Sequence, residues 1–358
     1  MLDIASRYSQ YRMFRTFGFP KILPVSLALS VTHRCNARCA TCRVTKRKPD
    51  ELTFKEYEAI FKTLKGNIRW FTISGGEPFM RDDLGDIVDC LIRHNSPDAI
   101  TIPTNGSFTQ KSINLVKNVV RHNPDTRFIM SFSIDAIGPI HDKIRGLENS
   151  FEKAMDSFQA VKEMDVENLS TGFHTVISKY NHQMIPDLIE YLRNFNPDYH
   201  RFEIAQSRAE LNVQNEEFAP TLEQYKKTLD FIKRIEDNSG DDSLSQIIRI
   251  FRNEYYNLSL KIIDKKDQVI PCFAGIASAH IGPNGDVWPC CTLAKPMGNL
   301  REKSYSFKRV WESENATKVR RFIKENRCYC PMANACYTNM LLDAGLLSKI
   351  IARYLVKI

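Results

Sequence analysis

From Leu27 to about Gln206, two kinds of hydrophobic pattern take turns along the chain. Short runs rich in β-branched and aromatic residues predict strands at Leu27–Thr32, Trp70–Ser74, Ala99–Thr104, Arg127–Asp135, Gly172–Ser178 and Arg201–Ala205. Between them, apolar residues recur every three to four positions, predicting helices at Phe54–Leu64, Leu84–Arg93, Thr109–Arg121, Ser150–Glu163 and Gln183–Asn194. In the last of these, Ile185, Leu188, Ile189 and Leu192 share one face. Strands that alternate with helices in this way suggest a parallel sheet with right-handed crossovers, an α/β architecture. Leu222–Ile235 and Leu244–Tyr256 read as later helices. After Pro271 the texture changes to cysteines, turns and a hairpin signal, Ile281-Gly-Pro-Asn-Gly-Asp-Val-Trp288. These shifts divide the chain into a basic, aromatic segment (1–24), an α/β core with trailing helices (25–265), a cysteine-rich unit (266–340) and a terminal amphipathic helix (341–358).

Composition narrows the class. The chain has 358 residues, long enough to bury a large core, and its 26% charged and 43% hydrophobic residues exclude a disordered protein. It carries no low-complexity tract or fixed-period repeat. Ten cysteines are too sparse for a small disulfide scaffold, and their grouping at 35–42, 272–291 and 328–336 points to metal binding. The apolar stretch Ile22–Val31 is too short to span a bilayer and contains Pro24. Signal cleavage there would cut immediately before the first cysteine group, so a reducing cytoplasm is the consistent compartment.

The net charge of +8 is concentrated at the ends. Arg7, Arg12, Arg15 and Lys21 face only Asp3 in the first segment, and Lys349, Arg353 and Lys357 have no acid among residues 344–358. In the terminal helix Leu346, Leu347, Ile350, Ile351, Tyr354, Leu355 and Ile358 share one face. Two readings follow. The helix packs on the protein with a solvated basic edge, or it touches the inner membrane surface together with Tyr8, Tyr11, Phe14, Phe17 and Phe19. No nucleic-acid-binding module is present, so no nucleic-acid partner is expected.

The candidate chemistry begins with Cys35, Cys39 and Cys42, spaced C-x3-C-x2-C just after the first predicted strand. Three thiolates on one loop suit an iron–sulfur cluster or zinc. Structural zinc would want a fourth protein ligand, whereas a cubane held by three cysteines leaves one iron open. Ser74-Gly75-Gly76-Glu77-Pro78 follows the second strand, and its glycines let the backbone approach a ligand. Ser133 and Asp135 alternate with apolar residues at the end of the fourth strand, ahead of His141-Asp-Lys-Ile-Arg145-Gly146. Asn105 ends the third strand, where a turn residue favouring positive φ is the plainer reading. Near the C-terminus come Cys272, Gly285 and Cys290, then Cys328, Cys330 and Cys336. Cys90 lies on an apolar helix face and reads as packing, and Cys291 reads as a spare thiol.

In this order the motifs resemble the radical S-adenosylmethionine (radical SAM) superfamily over residues 27–206, and its SPASM and twitch auxiliary domains over 270–340. The resemblance implies a partial (β/α)6 TIM-like barrel with a small cysteine-rich C-terminal domain. It implies a 4Fe-4S cluster on Cys35, Cys39 and Cys42, whose open iron holds S-adenosylmethionine. Reductive cleavage then frees a 5′-deoxyadenosyl radical, which abstracts hydrogen from an unactivated substrate carbon. By the same resemblance Gly75, Gly76, Glu77 and Pro78 hold the methionine amine, and Ser133 and Asp135 the ribose. Arg145 would pair with the methionine carboxylate, and Asn105 is grouped with the cofactor-binding residues. Cys272 and Cys290, with two of Cys328, Cys330 and Cys336, would hold one auxiliary 4Fe-4S cluster, zinc being the alternative. No cysteine follows Cys336, and five ligands are too few for two auxiliary clusters. Expected partners are a small-molecule, peptide or lipid substrate and a reductant such as flavodoxin or ferredoxin. The competing reading is a non-catalytic iron–sulfur or zinc protein on the same scaffold.

Overall fold

A computed structural model describes residues 2–47, 50–213, 216–237 and 243–357. The chain starts with a helix, α1 (Leu2–Phe17), which the sequence pattern did not predict. Six strands follow, β1 (Ser26–Ser30), β2 (Trp70–Ser74), β3 (Ala99–Thr104), β4 (Arg127–Ser133), β5 (Leu169–Ile177) and β6 (His200–Ile204). The helices between them are α2 (Phe54–Leu64), α3 (Leu84–Asn95), α4 (Thr109–Asn118), α5 (Pro139–Arg145), α6 (Ser150–Lys162) and α7 (Ile185–Arg193). Then come α8 (Leu222–Asp237), α9 (Ser243–Lys265), β7 (Ser278–Ile281), β8 (Asp286–Trp288) and β9 (Gly298–Asn299). Four helices end the chain: α10 (Phe307–Trp311), α11 (Glu314–Lys324), α12 (Ala333–Leu342) and α13 (Ala344–Lys357).

Neighbouring strands from β1 to β6 pair in parallel, with β6 at one edge, so the sheet is an open, partial barrel. Strand alternation explains which residues face inward. In β2, Phe71 and Ile73 are buried in the apolar core, while Thr72 and Ser74 occupy the other face. The short helix α2 starts on a capping box, Thr53 with Glu56, which satisfies two orphan N–H groups. Cys90, on α3, is fully buried in the core, as a packing residue would be.

The cysteine-rich unit does not stand apart from this sheet. Strand β7 pairs in parallel with β1, from Ser26 opposite Ser278 to Leu29 opposite Ile281. The expected hairpin is present as the antiparallel pair β7–β8, and β9 adds beyond it. Arg301 reaches back from this unit to Glu56 at the start of α2, Nε to Oε1 at 2.7 Å. The same sheet therefore carries both cysteine groups.

The terminal helix α13 packs inward along part of its length. Ile350 is buried, and Leu346 and Tyr354 pack against the core. Lys349 and Arg353 both pair with the buried carboxylate of Glu254 on α9, the lysine at 2.8 Å. Ile351 and Leu355 are exposed, as are Phe17 and Phe19 near the other end of the chain. Ile358 lies outside the described residues, and so does the side chain of Lys357. No helix among the described residues is long and apolar enough to cross a membrane.

Candidate functional site

The first cysteine loop sits at the C-terminal ends of the strands, held by backbone contacts on both sides. The N–H groups of Arg38 and Ala40 donate to the carbonyls of Arg145 and Ile144, at 2.9 and 2.8 Å, which docks the loop on the end of α5. Gly146 caps that helix with φ +58°, and a Cβ there would lie 2.5 Å from the Arg38 carbonyl oxygen. On the other side, Gly76 N–H donates to Thr32 O at 2.7 Å and Glu77 N–H to Arg34 O at 2.9 Å. A Cβ on Gly76 would fall 2.2 Å from Arg34 O, and one on Gly75 2.4 Å from Thr32 O. The two glycines thus let the turn after β2 lie directly against the cysteine loop. Burial pushes the Cys35 thiol up to about 12 and the Cys42 thiol up to about 11, and it raises Cys39 as well. Thiolates here need a metal's charge to stabilise them, so loading would release protons.

Around this loop, each residue singled out from the sequence has a definite place. Glu77 is buried and accepts from Phe79 N–H (3.1 Å), Thr104 Oγ1 (2.9 Å) and Asn105 N–H (2.7 Å), clamping β2 to β3. Burial, partly offset by these donors, raises its carboxyl to about 7. Pro78 opens a short turn of 3-10 helix behind it. Asn105 donates from Nδ2 to Asn36 Oδ1 at 2.8 Å, inside the cysteine loop, and accepts from Ser107 N–H at 2.9 Å. The positive φ of that turn belongs to Gly106 and not to Asn105. Asp135 is buried; its Oδ2 pairs with Arg145 Nε at 2.9 Å and its Oδ1 accepts from Val176 N–H at 3.0 Å. Arg145 also lies close enough to Cys39 for its charge to favour the thiolate, against the effect of burial. Ser133 is half-buried, and its hydroxyl has no hydrogen-bond partner among the described residues, so it is available to a ligand. His141 accepts from Asp135 N–H through Nδ1 at 3.0 Å, and burial lowers it to about 4, which keeps it neutral.

The second cysteine group is assembled from distant segments. Cys272 follows α9, Cys290 follows β8, Cys328 and Cys330 lie between α11 and α12, and Cys336 is on α12. All five line one cavity of about 420 Å³. A set of thiols converging on one cavity fits an iron–sulfur cluster's preference for thiolate ligands. Surrounding polar contacts hold the segments in place. Gln268 Nε2 donates to the Cys328 carbonyl at 2.9 Å, Asn339 Oδ1 accepts from Phe273 N–H at 2.7 Å, and Arg15 Nε on α1 donates to the Cys272 carbonyl at 3.1 Å.

Cys291 belongs to a different group. With Glu210 and His280 it forms a buried cluster whose ligand-type atoms all lie within 4.8 Å of one another. His280 Nε2 lies 3.2 Å from Glu210 Oε1 and 2.8 Å from Ser30 Oγ, which also donates to Glu210. Burial opposes a charge on both, but their mutual attraction wins, leaving His280 raised to about 9 and Glu210 lowered to about 2. Sequence reasoning missed Glu210 and His280. The only available hint was a histidine inside the apolar run Ala279–Ile281, because nothing local links it to position 210.

The loop around Glu210 bridges the first cysteine loop and the segment after Cys290, where Thr292 lines the cavity of the second cysteine group. Ala209 and Glu210 N–H groups donate to Thr292 and Cys291 carbonyls at 3.1 and 3.2 Å, and Arg43 N–H donates to Leu211 O at 2.9 Å. Arg47 Nε, just after the short 3-10 turn that follows the first cysteine loop, donates to the Glu210 carbonyl at 3.0 Å.

Comparisons with known proteins agree with this arrangement. The family model of the radical SAM superfamily matches residues 29–192, and that of an iron–sulfur cluster-binding domain, SPASM, matches residues 272–337. An AdoMet-dependent heme synthase of Oleidesulfovibrio alaskensis is 27% identical, covering 87% of this chain and 81% of its own. The subtilosin biosynthesis protein AlbA of Bacillus subtilis is 22% identical, covering 94% and 71%. Among solved structures, Streptococcus suis SuiB bound to its precursor peptide SuiA superposes with a TM-score of 0.62 at 14% identity, covering 96% of this chain and 78% of that one. A radical SAM domain implies a 4Fe-4S cluster with S-adenosylmethionine, and a SPASM domain implies auxiliary iron–sulfur clusters. With three thiols on the strand-end loop and five around one cavity of the same sheet, the chain belongs to the radical SAM superfamily and carries a SPASM iron–sulfur domain.

Proposed function

We propose that this chain oxidises a peptide substrate held between its two cysteine groups. The observation that carries this reading is the 209–211 loop, which bonds to the first cysteine loop on one side and to Cys291 and Thr292 on the other. A substrate beside that loop would lie close to both redox sites. The bound cluster and S-adenosylmethionine would supply the electron and the carbon radical that starts the reaction. Cys35, Cys39 and Cys42 would hold the first cluster. Arg145, fixed by Asp135, would meet the methionine carboxylate with its remaining guanidinium edge. The free hydroxyl of Ser133 would bind ribose. Asp135 would hold Arg145 in place, and its oxygens keep lone pairs for the ribose beyond the partners they have within the protein. Glu77 and Asn105 would position the turn whose backbone meets the methionine amine. Cys272, Cys290 and two of Cys328, Cys330 and Cys336 would hold an auxiliary cluster able to accept the substrate's electron.

A peptide substrate is supported by AlbA, named for bacteriocin biosynthesis, and by the fold shared with peptide-bound SuiB. A second reading, a tetrapyrrole substrate, is favoured by the higher identity to a heme synthase. The test is anaerobic reconstitution with iron and sulfide, followed by detection of 5′-deoxyadenosine with S-adenosylmethionine and a reductant. The wild type should form it and Cys39→Ala should not. A Cys39→Ala protein that cleaves S-adenosylmethionine would overturn the assignment. Candidate peptides and tetrapyrroles would then be compared for loss of two hydrogens by mass spectrometry.

A further inference from the structure

Beside the first cysteine loop there is an opening of about 530 Å³ lined by Arg38, Ala40, Cys42, Arg43, Thr45, Lys46 and Lys143. Four of these seven residues are basic and none is acidic. Arg38, Lys46 and Lys143 are exposed and have no ion-pair partner among the described residues. Arg43 is turned inward. It donates to the Cys39, Ala40 and Cys42 carbonyls at 3.2, 3.3 and 3.2 Å, and pairs with Glu216 at 3.3 Å. The opening thus carries three basic side chains without an ion-pair partner among the described residues, with a cysteine of the triplet in its lining.

The residues expected to touch S-adenosylmethionine lie elsewhere. Glu77, Asn105 and Asp135 are buried among the strand ends, and Ser133 is half-buried there. Cys42 therefore borders a solvent-facing basic opening that includes none of those groups. Reductive cleavage needs an electron from outside the chain, and a donor must come close to the thiolates to deliver it. A positive rim favours a negatively charged partner through steering and complementarity, and these act mainly on the association rate.

We propose that this basic opening is the docking face for an acidic one-electron carrier protein. The proposal rests on the radical SAM reading of the first site and adds the surface through which that site is served. The transfer is one electron from the reduced carrier to the chain, with the carrier oxidised by one electron and no bond made or broken in that step. Arg38, Lys46 and Lys143 hold the carrier's acidic face, and Arg43 stiffens the carbonyl wall beneath it.

The test uses the reconstituted full chain, the triple variant Arg38→Glu/Lys46→Glu/Lys143→Glu, and flavodoxin, a small acidic flavoprotein, as the probe. Iron content is measured first. Lys46→Glu and Lys143→Glu are made separately as well, in case the change beside Cys39 impairs loading. Equilibrium binding of oxidised flavodoxin is expected to weaken about tenfold or more in the triple variant. It should also weaken in the wild type as salt rises from about 0.05 to about 0.3 M. Formation of 5′-deoxyadenosine driven by reduced flavodoxin should fall by a similar factor. The rate driven by photoreduced 5-deazariboflavin, a small uncharged donor, should stay within about twofold because it needs no docking face. Unchanged flavodoxin binding in fully loaded variants overturns the proposal. So does an equal fall in both rates with binding intact, which would assign the basic rim to an anionic substrate. If the wild type binds flavodoxin through this rim yet forms no 5′-deoxyadenosine with either donor, the functional reading fails and the docking surface stands.

Discussion

The two cysteine groups of this chain are built on opposite plans. The first comes from a single loop of eight residues, Cys35 to Cys42, so its ligands are neighbours before anything folds. The second gathers five thiols spread over 65 positions, from Cys272 to Cys336, on segments that meet only through tertiary packing. The loop site therefore depends on a few close backbone contacts, and the gathered site depends on the segments from the end of α9 to α12 being in place. Loop-closure entropy makes the same point. Bringing distant segments together costs more than ordering one short loop, and packing must offset it.

Iron content gives the largest test of that contrast. After reconstitution the wild type should hold about eight iron atoms per chain. A Cys35→Ala/Cys39→Ala/Cys42→Ala variant should keep about four, because the gathered site does not rest on the loop thiols. Iron falling to near zero in that variant would mean that the two sites load as one unit. Zinc without iron would remove the auxiliary cluster from the account.

A smaller effect probes the contacts that shape the loop. Gly76→Ala places a methyl 2.2 Å from Arg34 O, so the cysteine loop or the turn after β2 must shift. A cost of about 3 kcal/mol is expected in urea unfolding, with weaker iron loading at the first site. Gly85→Ala, within α3, is the control: its nearest neighbour would be Val119 Cγ2 at 3.9 Å. It should be neutral or stabilise by up to about 1 kcal/mol. Equal behaviour of the two variants would break the packing argument.

The smallest effect is a pH dependence on the gathered side. His280 holds its proton up to about 9 when folded, above the ordinary imidazole value of 6.5. Its contribution is complete below about 6.5 and is lost as pH rises through about 9. Glu210, lowered to about 2, works in the other direction: its contribution is present above about 4.5 and is lost as pH falls through about 2. The unfolding free energy from urea titration should therefore decline between about pH 6 and about pH 9.5, by an amount on the order of 2 kcal/mol. His280→Gln should flatten that decline. A slope unchanged by the substitution would show that the pair is not its source.

How legible each part was in the sequence follows the same division. Strands β2 and β3 match the predicted Trp70–Ser74 and Ala99–Thr104 because alternation and flanking turns mark both ends locally. The C-x3-C-x2-C loop and the glycine pair were legible for the same reason. Helix α9 runs on to Lys265, past the predicted end at Tyr256, since Leu258 and Ile262 continue the buried stripe through a polar interruption. Helix α5 is short, and Gly138 and Pro139 made it read as a loop. The pairing of β7 with β1 and the meeting of Glu210 with His280 depend on contacts some 70 or more positions apart, which no local pattern encodes. The family resemblance suggested Asp135 for the ribose, but its contacts to Arg145 and to the N–H of Val176 on another strand are tertiary and were not legible in the sequence.

That parallel pairing of β7 with β1 has a further consequence for the lineage of this architecture. A module gained by simple fusion can be lost by simple truncation, because the seam between the parts is only a linker. Here the seam is a ladder, and β1 is an interior strand only while β7 lies beside it. A descendant that discarded everything after Lys265 would inherit a bare row of N–H and C=O groups next to its first cysteine loop. Such an edge invites pairing with a second chain. Loss of the auxiliary unit would thus have to be accompanied by a replacement strand, a covering helix or a charged edge.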